Sequence, residues 1–174
     1  MGPLTATVMR SALNRLDELV SEPFILIMGG GGAMILAHGF PLGTTDIDAV
    51  PKGMDIATLD VWVKQIASEL QLPKDWLNPY FSTFSFTLPS DYSKRLVEVF
   101  AGVRLRVQAL GREEMLIMKC FAHRQKDVGH AKALIRSGVD CKKVENHLIE
   151  LETKGIPGAT LALDFLEDIQ GQLE

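Results

Sequence analysis

Phe24-Ile25-Leu26-Ile27-Met28-Gly29-Gly30-Gly31-Gly32, followed by Thr44-Thr45-Asp46-Ile47-Asp48-Ala49-Val50, decides the fold of this chain. Phe24 to Met28 is continuously apolar and too short for a helix of its own, so it predicts a strand buried on both faces. The glycines form the turn that ends it. Ala33 to His38 predicts a short helix, closed by Gly39 and Pro41. Thr45 to Val50 predicts the next strand, stopped by Pro51. Residues two apart in a strand point to the same face, so Asp46 and Asp48 aim two carboxylates at one spot while Ile47 points into the core. Aspartate is disfavoured in strands, and two neighbouring carboxylates repel unless a cation neutralises them. A pair of this kind beside a glycine-rich strand-to-helix turn predicts a magnesium (or manganese) ion shared with a triphosphate.

The glycines fit that prediction because phosphates need backbone N–H groups close by, and a side chain on Gly30 or Gly31 would block the approach. Close packing of turn against strand is the plainer reason for glycine there. No Gly-Lys-Ser/Thr follows, so this is not a Walker A loop, and the strand–helix–strand spacing is too short for a dinucleotide fingerprint. Thr44 and Thr45 either contact a phosphate or cap the strand entry.

Outward from this centre, Val8, Met9, Ala12, Leu13, Leu16, Leu19 and Val20 recur at helical spacing and predict an amphipathic first helix. Asp55 predicts the cap of a helix running to about Leu70. Phe84 to Leu88, Arg95 to Phe100 and Val103 to Val107 predict strands, the last two joined by a turn at Ala101-Gly102. After Gly111 the pattern is helical only, over about 112–124, 127–136, 141–153 and 157–170. Two parts are expected, an α/β half at 1–110 and a helical half at 111–174. The expected class is α+β, with a small mixed sheet flanked by helices and a C-terminal helical bundle.

Phosphoryl transfer with two metals needs a third carboxylate on a neighbouring strand. Glu98, an acid inside the apolar run Leu96-Val97-Glu98-Val99-Phe100, is the candidate, to bind metal or to deprotonate an acceptor hydroxyl. The alternative is a solvent-facing position on a half-exposed sheet. In the helical half, Lys119, His123, Lys126 and His130 share one face if the helix is continuous. A break near Gln125-Lys126-Asp127, with Asp127 capping the next helix, is the alternative. Lys119 lies in the apolar stretch Met115 to Ala122, where a lysine either snorkels to solvent or seeks an anion such as a triphosphate. Lys126 and Asp127 are further candidates for that contact. The histidines form no metal-ligand spacing.

Bulk properties leave this reading open and close others. The chain has 174 residues with a net charge of −4, so no global basic field draws in nucleic acid. Cys120 and Cys141 have neither zinc nor redox spacing. No basic-then-apolar leader opens the sequence, and its longest apolar run is broken by glycines, so a cytoplasmic protein without a membrane span is expected.

In order, Gly30-Gly31-Gly32-Ala33, Thr44-Thr45-Asp46-Ile47-Asp48 and Lys119 with Arg124-Gln125-Lys126-Asp127 resemble the motifs of the DNA polymerase β-like nucleotidyltransferases. The resemblance is to the minimal-type bacterial and archaeal branch that includes the AbiE-type toxins, and it covers roughly residues 24 to 136. It implies an enzyme that moves a nucleoside monophosphate from a nucleoside triphosphate to a hydroxyl on RNA, protein or a small molecule. Asp46, Asp48 and Glu98 are then the catalytic and metal-binding acids, and Gly30, Gly31, Thr44, Thr45, Lys119, Lys126 and Asp127 hold nucleotide. A toxin–antitoxin partner is also implied. The chain departs from the branch at Leu42, where many relatives carry arginine, and in having Glu98 rather than an aspartate as its third acid. Those departures support an alternative, a catalytically degenerate module of the same fold that binds nucleotide or a partner.

Overall fold

The computed structural model describes residues 2–79 and 86–174. The chain forms two compact units, Met1–Thr83 with Leu96–Leu110, and Phe84–Arg95 with Gly111–Glu174. The class is the expected one, a mixed sheet flanked by helices.

The first unit contains α1 (Ala6–Leu19), β1 (Phe24–Gly29), α2 (Gly30–Leu36), β2 (Ile47–Lys52), α3 (Ile56–Leu70), β3 (Leu77–Asn78), β4 (Val97–Ala101) and β5 (Leu105–Ala109). The strands lie in the order β3-β2-β1-β5-β4. β1 pairs antiparallel with β2 and parallel with β5, so the continuously apolar segment occupies the middle of the sheet. That position buries Leu26, Ile27 and Met28, as the unbroken apolar run requires. Register fixes the faces: Met28 stands beside Ala49 and Ala109, and Leu26 beside Val107, all of them buried. On the opposite face Asp48 pairs with Gly29, and Gln108 with Ile27 and Glu98.

Helix boundaries follow local chemistry. Thr5 caps α1 by accepting from Val8 N, and Asp55 caps α3 as predicted by accepting from Thr58 N at 2.8 Å. α3 stops at Gln71, which takes a left-handed conformation at φ 54°. Trp76, fully buried, donates its indole N–H to Val63 O at 2.9 Å and thereby anchors the segment entering β3 to α3.

Sequence patterning did not predict β3. Patterning did predict a strand at Phe84 to Leu88; Phe84 and Ser85 lie outside the described residues, while Phe86-Thr87 form a 3-10 turn and Leu88 a bend. The last hairpin is shifted, with β4 at Val97–Ala101 and β5 at Leu105–Ala109. The cause is Asp17 of α1. Its carboxylate accepts from Val103 N, Arg104 N and Leu105 N at 3.0, 2.7 and 2.7 Å, holding Val103 and Arg104 as a turn that ends where Leu105 begins β5. Gly102 has no Cβ because the Asp17 carboxylate fills that space.

Burial pushes the Asp17 carboxyl up, but the N–H groups of Leu105, Arg104 and Val103 outweigh it and hold the group below its ordinary value. A depressed folded value contributes stability above the unfolded carboxyl value of about 3.9, and that stability disappears as pH falls through the folded value. Asp17→Ala is expected to cost about 3 kcal/mol at neutral pH, because Leu105 N is left buried without its acceptor. Asp17→Asn should flatten the acid limb of stability against pH in urea titrations. An unaltered limb would mean that Asp17 is already protonated in the fold.

The second unit contains a 3-10 turn at Tyr92–Arg95 and α4 (Arg112–Ala122), α5 (Gln125–Arg136), α6 (Cys141–Thr153) and α7 (Ala159–Gly171). α4 packs against α5, α6 and α7, and α6 against α7. Arg95 Nε donates to the fully buried Glu114 at 2.6 Å, and His147 Nε2 lies 2.7 Å from Thr87 O, tying 86–95 to the helices. No helix of the described residues is long and apolar enough to cross a membrane.

Candidate active site

In the first unit the glycine turn and the aspartate strand are in direct contact. Asp48 is the register partner of Gly29, so its side chain stands beside the turn that follows. Gly30 sits at φ +60°, a conformation that suits glycine, and a Cβ there would overlap Asp48 Oδ2. A Cβ on Gly31 would lie 2.8 Å from Thr44 Oγ1. Both glycines are therefore required by the packing of turn against strand, and the same absence of side chains brings an acidic oxygen over bare backbone. Close packing of turn against strand, the plainer of the two explanations available from sequence, accounts for these glycines.

Strand β2 begins at Ile47, and Asp46 is the bend residue before it. Ile47 is fully buried while Asp46 and Asp48 are half-buried, the alternation expected of them. Thr44 donates its hydroxyl to Asp46 O at 2.9 Å, which caps the strand entry. Thr45 is exposed.

Asn78 is the residue that sequence reading missed. It is the β3 partner of Asp48, and its Nδ2 donates to Asp48 Oδ1 at 3.1 Å. Gly29, Asp48 and Asn78 thus form one row across three strands. Two residues of strand between Pro73 and Pro79 give no periodicity to find. The available signal was topological: a strand, a helix at 56–70 and a following apolar Trp76-Leu77 form a strand–helix–strand crossover, whose second strand pairs parallel beside the first.

Glu98 is not brought to this row. It lies on β4 at the far edge, ion-paired with Arg106, and three strand spacings separate it from β2, about 14 Å. Ligands of one magnesium ion lie within about 2.1 Å of it, so Glu98 and Asp48 cannot share one. Among the described residues, no group of three His, Cys, Asp or Glu converges as a metal site. Asp48, with Asp46 at the adjoining bend, supplies hard carboxylate oxygens of the kind suited to a magnesium ion that takes its remaining ligands from phosphate and water.

In the second unit the chain does not run as one helix through Lys119 and His130. His123 takes a left-handed conformation at φ 34° and ends α4, and Arg124 caps α5. Asp127 is the third residue of α5, not its cap. It is fully buried and accepts from Lys119 Nζ at 2.8 Å and Arg124 Nε at 2.7 Å. Burial raises its carboxyl, and the bonds from Arg124 and Lys119 more than reverse this, holding it below the ordinary range. His130 is held low, by burial first and then by the charge of Lys119. Lys126 and His123 are exposed.

The family model described as "Nucleotidyltransferase of unknown function (DUF6036)" matches residues 8–156. No curated protein and no solved structure matches the chain.

Proposed function

From the family of nucleotidyltransferases to which this chain belongs, we propose a magnesium- or manganese-dependent enzyme that moves a nucleoside monophosphate from a nucleoside triphosphate to a hydroxyl acceptor. The observation that carries the reading is the contact of Asp48 with the glycine turn, where an acidic oxygen overhangs backbone that no Cβ shields.

Asp46 and Asp48 hold the cation, and Gly30 and Gly31 let the triphosphate approach the backbone. Bound there, the cation supplies Lewis-acid neutralisation of phosphate charge. Thr44 keeps the strand entry in place through Asp46 O. The acceptor oxygen forms a bond to the α-phosphorus, the bond from that phosphorus to the bridging oxygen breaks, and pyrophosphate leaves while the hydroxyl proton passes to solvent. The chain contributes positioning and electrostatics, with no covalent protein intermediate. RNA, a protein side chain and a small molecule are the acceptor classes, and the resemblance to AbiE-type toxins supports action with a toxin–antitoxin partner.

One observation favours a second reading, a degenerate module that binds nucleotide or a partner without turnover: Asn78 stands beside Asp48 where a third acid would serve, and Glu98 is remote. Incubation with each α-labelled nucleoside triphosphate, magnesium or manganese, and cell extract separates the two. Label transferred to an acceptor, lost on chelation and lost in Asp46→Ala, is the expected result. Nucleotide retained without any transfer would establish the degenerate module instead.

A further inference from the structure

The outer side of α5 carries three residues that local helix chemistry does not favour. Lys126 stands in the first turn, where the helix macrodipole favours anions. Lys132 and Arg136 are four residues apart, the spacing at which like charges repel. Gly129 stands in mid-helix, where glycine is less stable than alanine, yet nothing lies within 4 Å of the place its Cβ would take. Packing does not ask for glycine there.

The helix turns Asp127, Ala131 and Leu134 inward. At 3.6 residues per turn, Lys126, Gly129, Lys132, Ala133 and Arg136 fall on the other side, three cations in an arc of about 120° around two small residues. The one acid of α5, Asp127, is buried and held by Lys119 and Arg124. Asp140, four residues beyond Arg136, caps α6. Other helices of the chain pair surface cations with acids three or four residues away, as in Arg15–Glu18, Lys64–Asp60, Lys142–Glu145 and Lys154–Glu150. Lys126, Lys132 and Arg136 form no ion pair among the described residues. In a chain of net charge −4, this is a local basic face with a smooth centre. No large apolar side chain stands among the cations to anchor a protein partner.

We propose that this face of α5 binds the phosphodiester backbone of RNA. The ammonium and guanidinium groups take phosphate oxygens, and Gly129 and Ala133 let the backbone lie close to the helix. Among the three acceptor classes given above this favours RNA. That consequence rests on the nucleotide reading, whereas the binding itself needs neither cation nor nucleotide.

Fluorescence anisotropy of a labelled RNA stem-loop against the full chain, in chelator and without nucleotide, tests it, with a thermal melt of each preparation. Wild type is expected to bind, with an affinity that falls steeply as salt is raised. Lys126→Glu and Lys132→Glu together should weaken binding by about thirtyfold or more and flatten the salt dependence. The same variant should melt no lower than wild type, because one change puts an acid at the start of α5 and the other puts one four residues before Arg136. Lys132→Ala alone, a single surface change, should weaken binding about threefold, and it carries the test if the double variant does not fold. No binding by wild type at low salt, or unchanged affinity in either folded variant, would overturn the proposal. A double variant that melts well below wild type would show that the lysines serve the helix itself, and would overturn it too. So would displacement of the RNA by polyglutamate at equal charge, which assigns the face to an acidic protein, or tighter binding of a DNA stem-loop of the same sequence. None of these results touches the nucleotide reading, which needs the cation, and failure of label transfer would leave this face standing.

Discussion

Asp48→Ala is expected to lower nucleotide transfer by at least about a thousandfold, since several kcal/mol of cation-derived charge stabilisation is lost and each 1.36 kcal/mol is a factor of ten. Stability should respond in the opposite sense or hardly at all. Asp48 is half-buried, stands close to the carboxylate-bearing bend at Asp46, and gives up one hydrogen bond from the Asn78 amide. Loss of that bond, about 1 kcal/mol, is offset by relief of repulsion between like charges. The melting temperature should stay within about 3 °C of wild type or rise. Initial rates of label transfer and a thermal melt on the same preparation check both halves. A fully active Asp48→Ala protein would refute the site, and a variant with no cooperative melt would show that the carboxylate is there for the fold.

Asp127→Ala should have the largest effect on stability, about 3–5 kcal/mol, because it leaves the Lys119 ammonium buried with no counter-charge. Lys119 is nearly fully enclosed, and its Nζ donates to Asp127 Oδ1 at 2.8 Å. Arg124 is more than half exposed and loses little when its share of the carboxylate disappears. At about 2–4 °C per kcal/mol for a chain of this size, the melting temperature should fall by about 10 °C. Replacing both partners, Lys119→Met with Asp127→Leu, should restore most of the loss, because an apolar pair of similar volume carries no unpaired charge. A double-mutant cycle in urea measures the coupling. Additive single effects would show that the pair is not a unit, and a Lys119→Met protein of unchanged stability but raised KM for nucleotide would assign the lysine to substrate.

Parts of the site were legible because their signals are local. A five-residue apolar run has one economical place, the middle of a sheet, and the glycines after it mark the turn. Asp46 and Asp48 on either side of Ile47 declare an alternation that needs no partner strand to be seen. Asp55 and its helix are equally local. Lys119 stood out as a lysine among apolar residues, but its counter-charge Asp127 lies across a helix break at His123 that has no glycine or proline to announce it. Asn78 gave no signal at all: it belongs to two residues of strand, and an amide there has the composition of any loop.

Alternation, apolar runs and caps within a few residues of each other therefore determined most of the elements of this protein, the acidic start of its second strand and the bend that faces it. Tertiary structure alone decided the strand order, and with it that Asn78 stands against Asp48 while Glu98 is left at the opposite edge with Arg106. The reason is physical: side-chain direction within a strand follows from backbone geometry, whereas which strands become neighbours depends on how distant segments bury one another's apolar faces.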